Sequence, residues 1–510
     1  MKINIFSPKL IGIIFSLLLT SCDDSGISVL AGGGIGGTGD VATITISSSA
    51  STSVGPITNF GSVFVNGIEY DTKEAVIFVD GQPTTEDALA LGMIVQIEGR
   101  INADSKTGMA QQIRFDEDVV GPIQSIAEDG SSLMVLGQTV QIDELTIFTG
   151  VTDVDALEIG QIVAVSGLTD AEGNISASRI ALQPATIPFR IRGRPHQIDP
   201  INQTLTIGEL TVNYQQAPVF ESGIAGQKMG MEWVNVQGTL VGNQLVADHL
   251  VTEEPQLISE VGTQVTLQGI ITRFNDAKDF EIAHSQVATT SETQFTLGTA
   301  ADLALGVQVR VNGQFNADDV LVLNEVFFLK PPRNPRIDID ADVQAIDVAN
   351  HQLTLLGIPV QTTAFTLFQD KQQAKNAFSL EDLYIGSRVK IHGFLDLATG
   401  MPIADRLQRP PTNAPNGVML EGPIKTVDVN SRTLNILGVT IMVDESTRYF
   451  DELPVKPRAE EGNKPLLPPE STLTEIQFFS KVETMNPVIT VRGRLVGDII
   501  VAEMLMIQPK

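Results

Sequence analysis

Alternating hydrophobic and polar residues recur along this chain and repeatedly end at a glycine. The pattern apolar, any, apolar, any, Gly occurs six times, and the residues between the apolar positions are mostly polar or charged. A period of two is typical of a β-strand with one face toward a core and the other largely toward water. The predicted strands contain Val95/Ile97/Gly99, Val163/Val165/Gly167, Val234/Val236/Gly238, Val309/Val311/Gly313, Val389/Ile391/Gly393 and Ile489/Val491/Gly493.

A second strand is predicted to follow each of these glycines, separated from it by turn-forming residues. Asn102 and Asp104 separate the two strands in the first copy, and Gly242 and Asn243 do so in the third, as is typical of β-hairpins. Short helical signals precede several of the hairpins. The second strand opens with a small or aliphatic residue in every copy: Ala110, Ala177, Ala247, Leu323, Ala404 and Ala502.

Each copy also begins with an apolar residue five positions after a small one, as in Gly55 and Phe60. Most copies then carry an apolar strand broken by glycine, such as Val135-Leu136-Gly137, whereas the fourth has Ile282-Ala283-His284. Self-similarity at this spacing is the signature of a repeat protein. The predicted β modules are 55–118, 119–187, 188–256, 257–332, 333–412 and 413–510, the last with a proline-rich insertion near 454–469.

The recurring pattern G-x-I…φ-φ-G-φ…L-x-x-G-x-x-V-x-V-x-G…A-x-x-I, in which φ is apolar, resembles the bacterial family known as domain of unknown function 5666. The resemblance covers nearly all of residues 55–506; modules 1, 2 and 6 fit best, and modules 3 and 4 depart at the second strand. It implies a small β-barrel similar in size to OB folds, and no activity or catalytic residue comes with it. The predicted fold class is therefore all-β, a tandem array of about six small OB-like barrels.

The first residues predict export and lipidation. Lys2 and Lys9 precede a largely apolar run at 10–19, which is too short to span a bilayer and ends in Leu-Thr-Ser-Cys. That ending resembles a lipobox, so 1–21 is predicted to be a signal peptide, Cys22 to be the lipidated residue, and 22–54 to be a flexible Gly/Ser-rich tether. An ordinary secreted protein is the alternative. The expected location is the cell envelope outside the cytoplasm, with the choice between inner and outer membrane left open.

Composition excludes several classes of function. A net charge of −28 disfavours nucleic acid, whose binding depends on contacts from lysine and arginine. Cys22 is the only cysteine, so intramolecular disulfides and multi-thiolate metal sites are excluded. The expected partners are a membrane, reached through the N-terminal lipid, and an envelope protein or glycan. The oligomeric state is left open.

The candidates for catalytic or metal-binding residues are the histidines and the clustered carboxylates, because these side chains supply most general bases and metal ligands. The histidines occupy variable, mostly polar positions in different modules, and we predict that they are solvent-exposed and structural: His196, His249, His284, His351 and His392. Asp338, Asp340 and Asp342 alternate along one strand, which favours a solvated edge strand over a metal site. No catalytic residue, cofactor or metal is therefore predicted.

These observations favour a non-enzymatic envelope protein that presents repeated β modules as a scaffold or as a binder of an unidentified ligand. An oligosaccharide-binding or carbohydrate-processing protein is the alternative, motivated by the OB-like size and the predicted export. The scarcity of tryptophan and tyrosine, with one and four copies, counts against it. A third hypothesis is an enzyme whose acidic pair lies between modules.

Overall fold

Six copies of one strand pattern follow one another along the chain. The structure, a computed structural model, describes residues 49–185, 187–217, 219–220, 233–253, 261–372, 377–412, 417–451 and 472–508. The predicted signal peptide, Cys22, the tether up to residue 48 and the insertion near 454–469 lie outside these residues. By its contacts, Ser48–Lys510 is a single unit.

The first three repeats contain the following strands. Repeat 1 has β1 (Ser49–Asn59), β2 (Val63–Val65), β3 (Ile68–Asp71), β4 (Val76–Val79), β5 (Gln82–Thr84), β6 (Ile94–Ile101) and β7 (Thr107–Phe115). Repeat 2 has β8 (Val119–Ile126), β9 (Ser132–Val135), β10 (Gln138–Gln141), β11 (Ile147–Thr149), β12 (Ile162–Thr169) and β13 (Ile175–Gln183). Repeat 3 has β14 (Phe189–Gly193), β15 (Gln197–Asp199), β16 (Thr204–Ile207), β17 (Leu210–Asn213), β18 (Val219–Phe220), β19 (Trp233–Val241) and β20 (Gln244–Glu253).

The last three repeats follow the same order. Repeat 4 has β21 (Gln264–Asp276), β22 (Asp279–Ile282), β23 (Ser285–Thr296), β24 (Gln308–Phe315) and β25 (Leu321–Phe328). Repeat 5 has β26 (Arg336–Asp347), β27 (Gln352–Leu355), β28 (Ile358–Gln361), β29 (Leu367–Asp370), β30 (Arg388–Asp396) and β31 (Met401–Arg409). Repeat 6 has β32 (Val418–Asp428), β33 (Thr433–Ile436), β34 (Val439–Phe450), β35 (Thr472–Leu473), β36 (Val488–Val496) and β37 (Ile499–Ile507).

Each repeat closes into a five-stranded barrel. In repeat 1, β1 pairs with β2, β2 with β3, β3 with β7, β7 with β6, and β6 returns to β1; only the β3–β7 pair is parallel. The other repeats use the same order, and in repeat 3 the first strand is divided into β14 and β15 around Pro195. Because the alternate residues of these strands fill the barrels, the predicted all-β fold of small barrels is confirmed.

Short helices cover the barrels just before the fourth strand. One 3₁₀ turn lies there in each of four repeats: Glu86–Ala88, Val154–Ala156, Ala300–Asp302 and Leu380–Asp382. Repeat 6 instead has the α-helix α1 (Glu475–Met485), whose Phe478, Phe479 and Val482 are buried against its barrel. Thr474 and Gln477 form a capping box that begins this helix. No helix in the described ranges is long and apolar enough to cross a membrane.

The recurring strand glycines lie at a β-bulge, which explains why all six copies need them. In repeat 1 the register of the β6–β7 pair shifts between Glu98 and Gly99, so that Gln111 is the extra residue on β7. The other five copies have the same shift before their glycine. A Cβ on any of these glycines would collide with a backbone carbonyl oxygen of the neighbouring strand. Only glycine lets the two strands approach this closely.

A threonine supports the bulge strand in four repeats. Its hydroxyl donates to the carbonyl oxygen of the residue just before the extra residue of the bulge. The pairs are Thr146 with Ala177 (2.8 Å), Thr293 with Leu323 (2.7 Å), Thr366 with Ala404 (2.7 Å) and Thr447 with Ala502 (2.7 Å). These bonds satisfy a buried carbonyl where the regular ladder is interrupted.

First strands join the repeats in pairs. Residues 51–54 of β1 pair in parallel with 264–267 of β21, so repeat 1 shares a sheet with repeat 4. Likewise β8 pairs with β14, and β26 with β32. The tether was predicted to extend to residue 54, but β1 already begins at Ser49 and pairs with β6 on its other edge. The serine-rich composition was misleading here because these small polar side chains are buried where β1 pairs with β6 and β21.

The turn that follows the 3₁₀ helix has the form Leu-x-φ-Gly in four repeats. Its second aliphatic residue is buried in repeat 1, where Leu91 belongs to the same core as Ile147 of repeat 2. The adjacent Gly92 accepts a hydrogen bond from Ser178 of repeat 2 (2.6 Å). The residues equivalent to Leu91 in the other three repeats, Ile159, Leu305 and Ile385, are exposed. The same turn is therefore an inter-repeat contact in one copy and a free surface in three.

Leu91 and Ile159 should differ sharply when truncated. Leu91 is 8% exposed, so Leu91→Ala should lower the free energy of unfolding by about 2 kcal/mol, because the change removes buried contacts and leaves a cavity. Ile159 is 64% exposed, and Ile159→Ala should change the free energy of unfolding by less than about 0.5 kcal/mol. Urea denaturation followed by circular dichroism compares the two. Equal losses would show that Leu91 does not hold repeats 1 and 2 together.

Candidate functional site

A polar cavity of about 480 Å³ lies where repeats 1 to 4 meet. Cavities of roughly 300–1,000 Å³ are typical of ligand sites. We call it the Arg–Trp cavity and define it by its functional side chains: Glu98 from repeat 1, Asp118 from the start of repeat 2, Arg192, Arg194 and Trp233 from repeat 3, and His284 from repeat 4.

Trp233 is the only tryptophan of the chain, and it lines this cavity. It opens β19, directly before the barrel residue Val234, so it alternates to the outer face of its barrel. The guanidinium of Arg192 lies 4.8 Å from the centre of the indole ring, and the His284 ring meets the indole edge-on at 5.5 Å. The cavity thus combines an aromatic ring with a cation and an imidazole.

His284 occupies a strained position in a hairpin turn. Four other repeats have glycine at this place, namely Gly67, Gly137, Gly357 and Gly438, each with a positive φ. Ala283 and His284 adopt φ values of 46° and 66°, which cost a residue with a Cβ about 1 kcal/mol relative to glycine. Backbone strain of this kind tends to be kept where a side chain is needed.

The surroundings of His284 keep its imidazole neutral at ordinary pH. Burial lowers the pKa of His284 to about 4, and the positive charges of Arg194 and Arg192 act in the same direction. A neutral imidazole offers one donor and one acceptor. Within the described ranges no side chain or backbone group hydrogen-bonds to its ring nitrogens, which leaves both available to a ligand.

Part of the cavity wall is acidic. Asp118 accepts a hydrogen bond from the Gly167 amide (2.8 Å), and one of its oxygens lies 3.7 Å from Arg192. Glu98 accepts from the Gln96 amide (3.0 Å). Glu117, the residue directly before Asp118, is buried, and its carboxylate lies 3.8 Å from the guanidinium of Arg179. Carboxylates on this wall can accept hydrogen bonds from a ligand's hydroxyl groups.

Arg194 lines the same cavity as a cation without a protein partner among the described residues. Among the described residues, no carboxylate or carbonyl pairs with its guanidinium, and its side chain is exposed. Three other repeats have proline at the equivalent position: Pro56, Pro122 and Pro423. Repeat 3 thus places a donor-rich side chain where its relatives have none.

Two other cavities are less suited to a polar ligand. An apolar cavity of about 130 Å³ lies where Phe365 of repeat 5 packs against the Asn66-Gly67 turn of repeat 1. A cavity of about 620 Å³ lies between repeats 5 and 6, where Arg388 is already paired with Asp340 (2.6 Å) and Asp342 (3.5 Å). Neither of these two cavities is lined by a tryptophan.

The prediction of five exposed histidines is partly wrong. His196, His249 and His351 are exposed, but His284 is half-buried in the Arg–Trp cavity and His392 is buried. His392 points away from its own barrel, as predicted. The outward face of that strand is covered, because its barrel packs against other repeats. Residues on the outer face of a barrel are therefore not always exposed to solvent in this protein.

The prediction of a solvated edge at Asp338, Asp340 and Asp342 is also wrong. Their strand, β26, lies between β30 and β32 and is not an edge. Asp338 lies 2.6 Å from Nδ1 of His392, and Asp340 and Asp342 face Arg388. Asp340 and Asp342 neutralise the guanidinium of Arg388 on the neighbouring strand. Within the described ranges, no three side chains of His, Cys, Asp or Glu come together in a metal-binding arrangement.

A comparison with protein families identifies the repeats. Four segments of the chain, 52–114, 120–181, 268–322 and 342–408, match the model of a domain of unknown function, DUF5666. These four repeats belong to the DUF5666 family. Searches of curated proteins and of solved structures found no significant match.

The DUF5666 matches correct one detail of the sequence comparison. Repeats 1, 2, 4 and 5 match the family model, whereas repeat 6 was predicted to fit well and repeat 4 poorly. Repeat 6 differs from the others in having the long helix α1 and an insertion before it. All six repeats nevertheless share the same strand order.

The residues of the Arg–Trp cavity were not predicted as a site. Each is a departure from the repeat pattern: His284 replaces a turn glycine, Arg194 replaces a proline, and Trp233 stands where most repeats have an aliphatic residue. A search for residues that differ from the equivalent residues of the other copies would have identified all three. Their proximity required the structure, because they come from two different repeats. The predicted lipidation residue Cys22 lies outside the described residues.

Proposed function

We propose that this chain is a non-enzymatic binding protein of the bacterial cell envelope, anchored to a membrane by a lipid on Cys22, that takes a small ligand of the saccharide class into the Arg–Trp cavity. One observation carries the ligand proposal: the only tryptophan lines a polar cavity together with Arg194, a cation for which the described residues offer no partner. Sugars present hydroxyl groups and an apolar ring face, and hydrogen-bonding side chains next to an aromatic ring can bind both.

Non-enzymatic binding is supported by how the polar groups of the cavity are arranged. His284 would be the natural general base, yet no carboxylate orients its ring among the described residues, and its pKa is lowered to about 4. A base of that pKa is a weak proton acceptor at neutral pH. The arrangement therefore favours holding a ligand over transforming it.

Tryptophan fluorescence tests the binding proposal directly. Because Trp233 is the only indole, a ligand in the cavity should change the emission of the full-length protein without interference from other sites. We expect a saturable change with at least one sugar from a set of neutral, amino and acidic monosaccharides. Trp233→Phe should remove the signal, and calorimetry supplies an independent readout. Flat titrations by both methods across the set would overturn the proposal.

Lipid attachment is tested separately. Cells grown with labelled palmitate should incorporate the label into the protein, and Cys22→Ser should abolish incorporation, because this is the only thiol of the chain. Unlabelled wild-type protein would contradict the anchor.

A protein scaffold is the second candidate function. It is favoured by the exposed aliphatic residues Ile159, Leu305 and Ile385, which repeat at one position on three barrels. In repeat 1 the equivalent residue is buried in a contact with repeat 2. Cross-linking in membranes would distinguish the candidates, because a scaffold should lose partner protein when these three residues are changed together to serine, and sugar binding should remain.

A further inference from the structure

We infer that the ligand of the Arg–Trp cavity is an acidic sugar, whose carboxylate binds Arg194 and whose ring lies against Trp233. This inference rests on the proposed function and narrows its ligand class. Two features of the cavity support it: a cation without a protein partner, and carboxylates that can accept hydrogen bonds.

The unpaired guanidinium favours a carboxylate. Arg192 already lies 3.7 Å from Asp118, whereas Arg194 has no counter-ion among the described residues and is the cation open to a ligand. A carboxylate matches the planar fork of a guanidinium and forms two parallel hydrogen bonds with it. His284 lies close enough to both arginines for their charges to affect it, so its ring can donate to the same end of a ligand.

The other groups that line the cavity favour a sugar ring. Glu98 and Asp118 accept hydrogen bonds, and hydroxyl groups are the donors that can reach such groups without adding charge. A second anionic group at this end would meet like charges and bind weakly. The indole of Trp233, together with Leu168 and Ile94, supplies the apolar contact for a ring face.

His284 is the residue whose role can be separated from stability. A structural histidine would contribute to folding, whereas this one occupies a position that favours glycine. His284→Gly should therefore leave the stability of the protein unchanged or raise it, while weakening ligand binding. Loss of function with gain of stability is the pattern expected of a residue kept for binding.

The test uses three sugars of the same stereochemistry: galacturonate, galactose and galactosamine. Fluorescence of Trp233 and calorimetry are measured with the full-length protein, its Arg194→Gln and His284→Gly variants, and the control Arg448→Gln, which removes an exposed arginine of repeat 6. Galacturonate should bind at least about tenfold more tightly than galactose, and Arg194→Gln should abolish that preference. Binding should weaken with added salt, and Arg448→Gln should bind as the wild type does.

Each other outcome has a distinct meaning. Equal affinity for galactose and galacturonate, or preference for galactosamine, would overturn the acidic-sugar inference and leave the saccharide proposal standing. A galacturonate preference that survives Arg194→Gln would also overturn it, because the anion would then bind elsewhere. Binding that is unchanged in His284→Gly would remove His284 from the site. Absence of binding by all three sugars in both assays would count against the proposed function itself.

Discussion

Replacing Gly393 by alanine should destabilise the protein by about 3 kcal/mol, because the added Cβ has no space. Gly393 lies at the bulge of the β30–β31 pair, where it faces Ala404 and where Asp405 is the extra residue. The Cβ of an alanine would collide with the carbonyl oxygen of Ile403. That oxygen belongs to the backbone of a central strand, so no change of side-chain rotamer relieves the clash.

Gly386 of the same repeat provides the matched control. It has a φ of +91° and open space around a Cβ built on it, so Gly386→Ala costs only the conformational strain of about 1 kcal/mol. Equilibrium unfolding in urea, followed by circular dichroism, measures both variants. If Gly386→Ala were as costly as Gly393→Ala, backbone conformation and not close approach would explain the glycine at the bulge.

The barrel was predictable from sequence because each of its strands carries a complete local signal. Val389 and Ile391 alternate with polar residues, the following glycine marks the bulge, and both apolar side chains are fully buried. The resemblance to a known family then supplied the closure into a barrel. The threonine that supports the bulge, such as Thr366, was missed because a single hydroxyl within a polar turn has no periodicity.

The arrangement of the repeats was not predictable in the same way. The parallel pair that joins repeats 1 and 4 involves residues 51–54, whose serine and threonine side chains resemble a linker. The site depends on that arrangement, since Trp233 and His284 are about fifty residues apart in sequence and meet only because two barrels pack together. Local patterns identify strands reliably, whereas contacts between barrels depend on surfaces that carry no repeated signal.

Raising the pH from 4 to 8 should destabilise this protein by several kcal/mol, on the order of 2 to 3 kcal/mol from each of two carboxyl groups. Burial raises the pKa of Asp405 to about 6 and that of Glu421 to about 7, despite the hydrogen bonds that Arg336 gives Asp405 (2.7 Å) and Thr490 gives Glu421 (2.6 Å). Burial likewise raises the pKa of Glu117 to about 8.

The sign follows from proton uptake. Between the ordinary carboxyl pKa and these raised values, the folded state binds more protons than the unfolded state, so the stabilisation is present at low pH and is lost as the pH rises through the folded-state pKa. Exposed turn carboxylates act in the opposite direction. Hydrogen bonds from Asn350 lower the pKa of Asp347 below 3.8, so its stabilising effect is lost only in stronger acid. Maximum stability is therefore expected near pH 4 to 5, where both effects are small.

Asp405→Asn and Asp347→Asn separate this mechanism from the overall charge. Both variants remove one negative charge from a chain of net charge −28, and so relieve long-range repulsion equally. Only Asp405→Asn removes a group that ionises between pH 4 and 8, and it should reduce the loss of stability across that range by about 2 kcal/mol. Urea unfolding at several pH values measures the effect. If Asp347→Asn reduced the loss as much, general repulsion and not the burial of Asp405 would set the pH dependence.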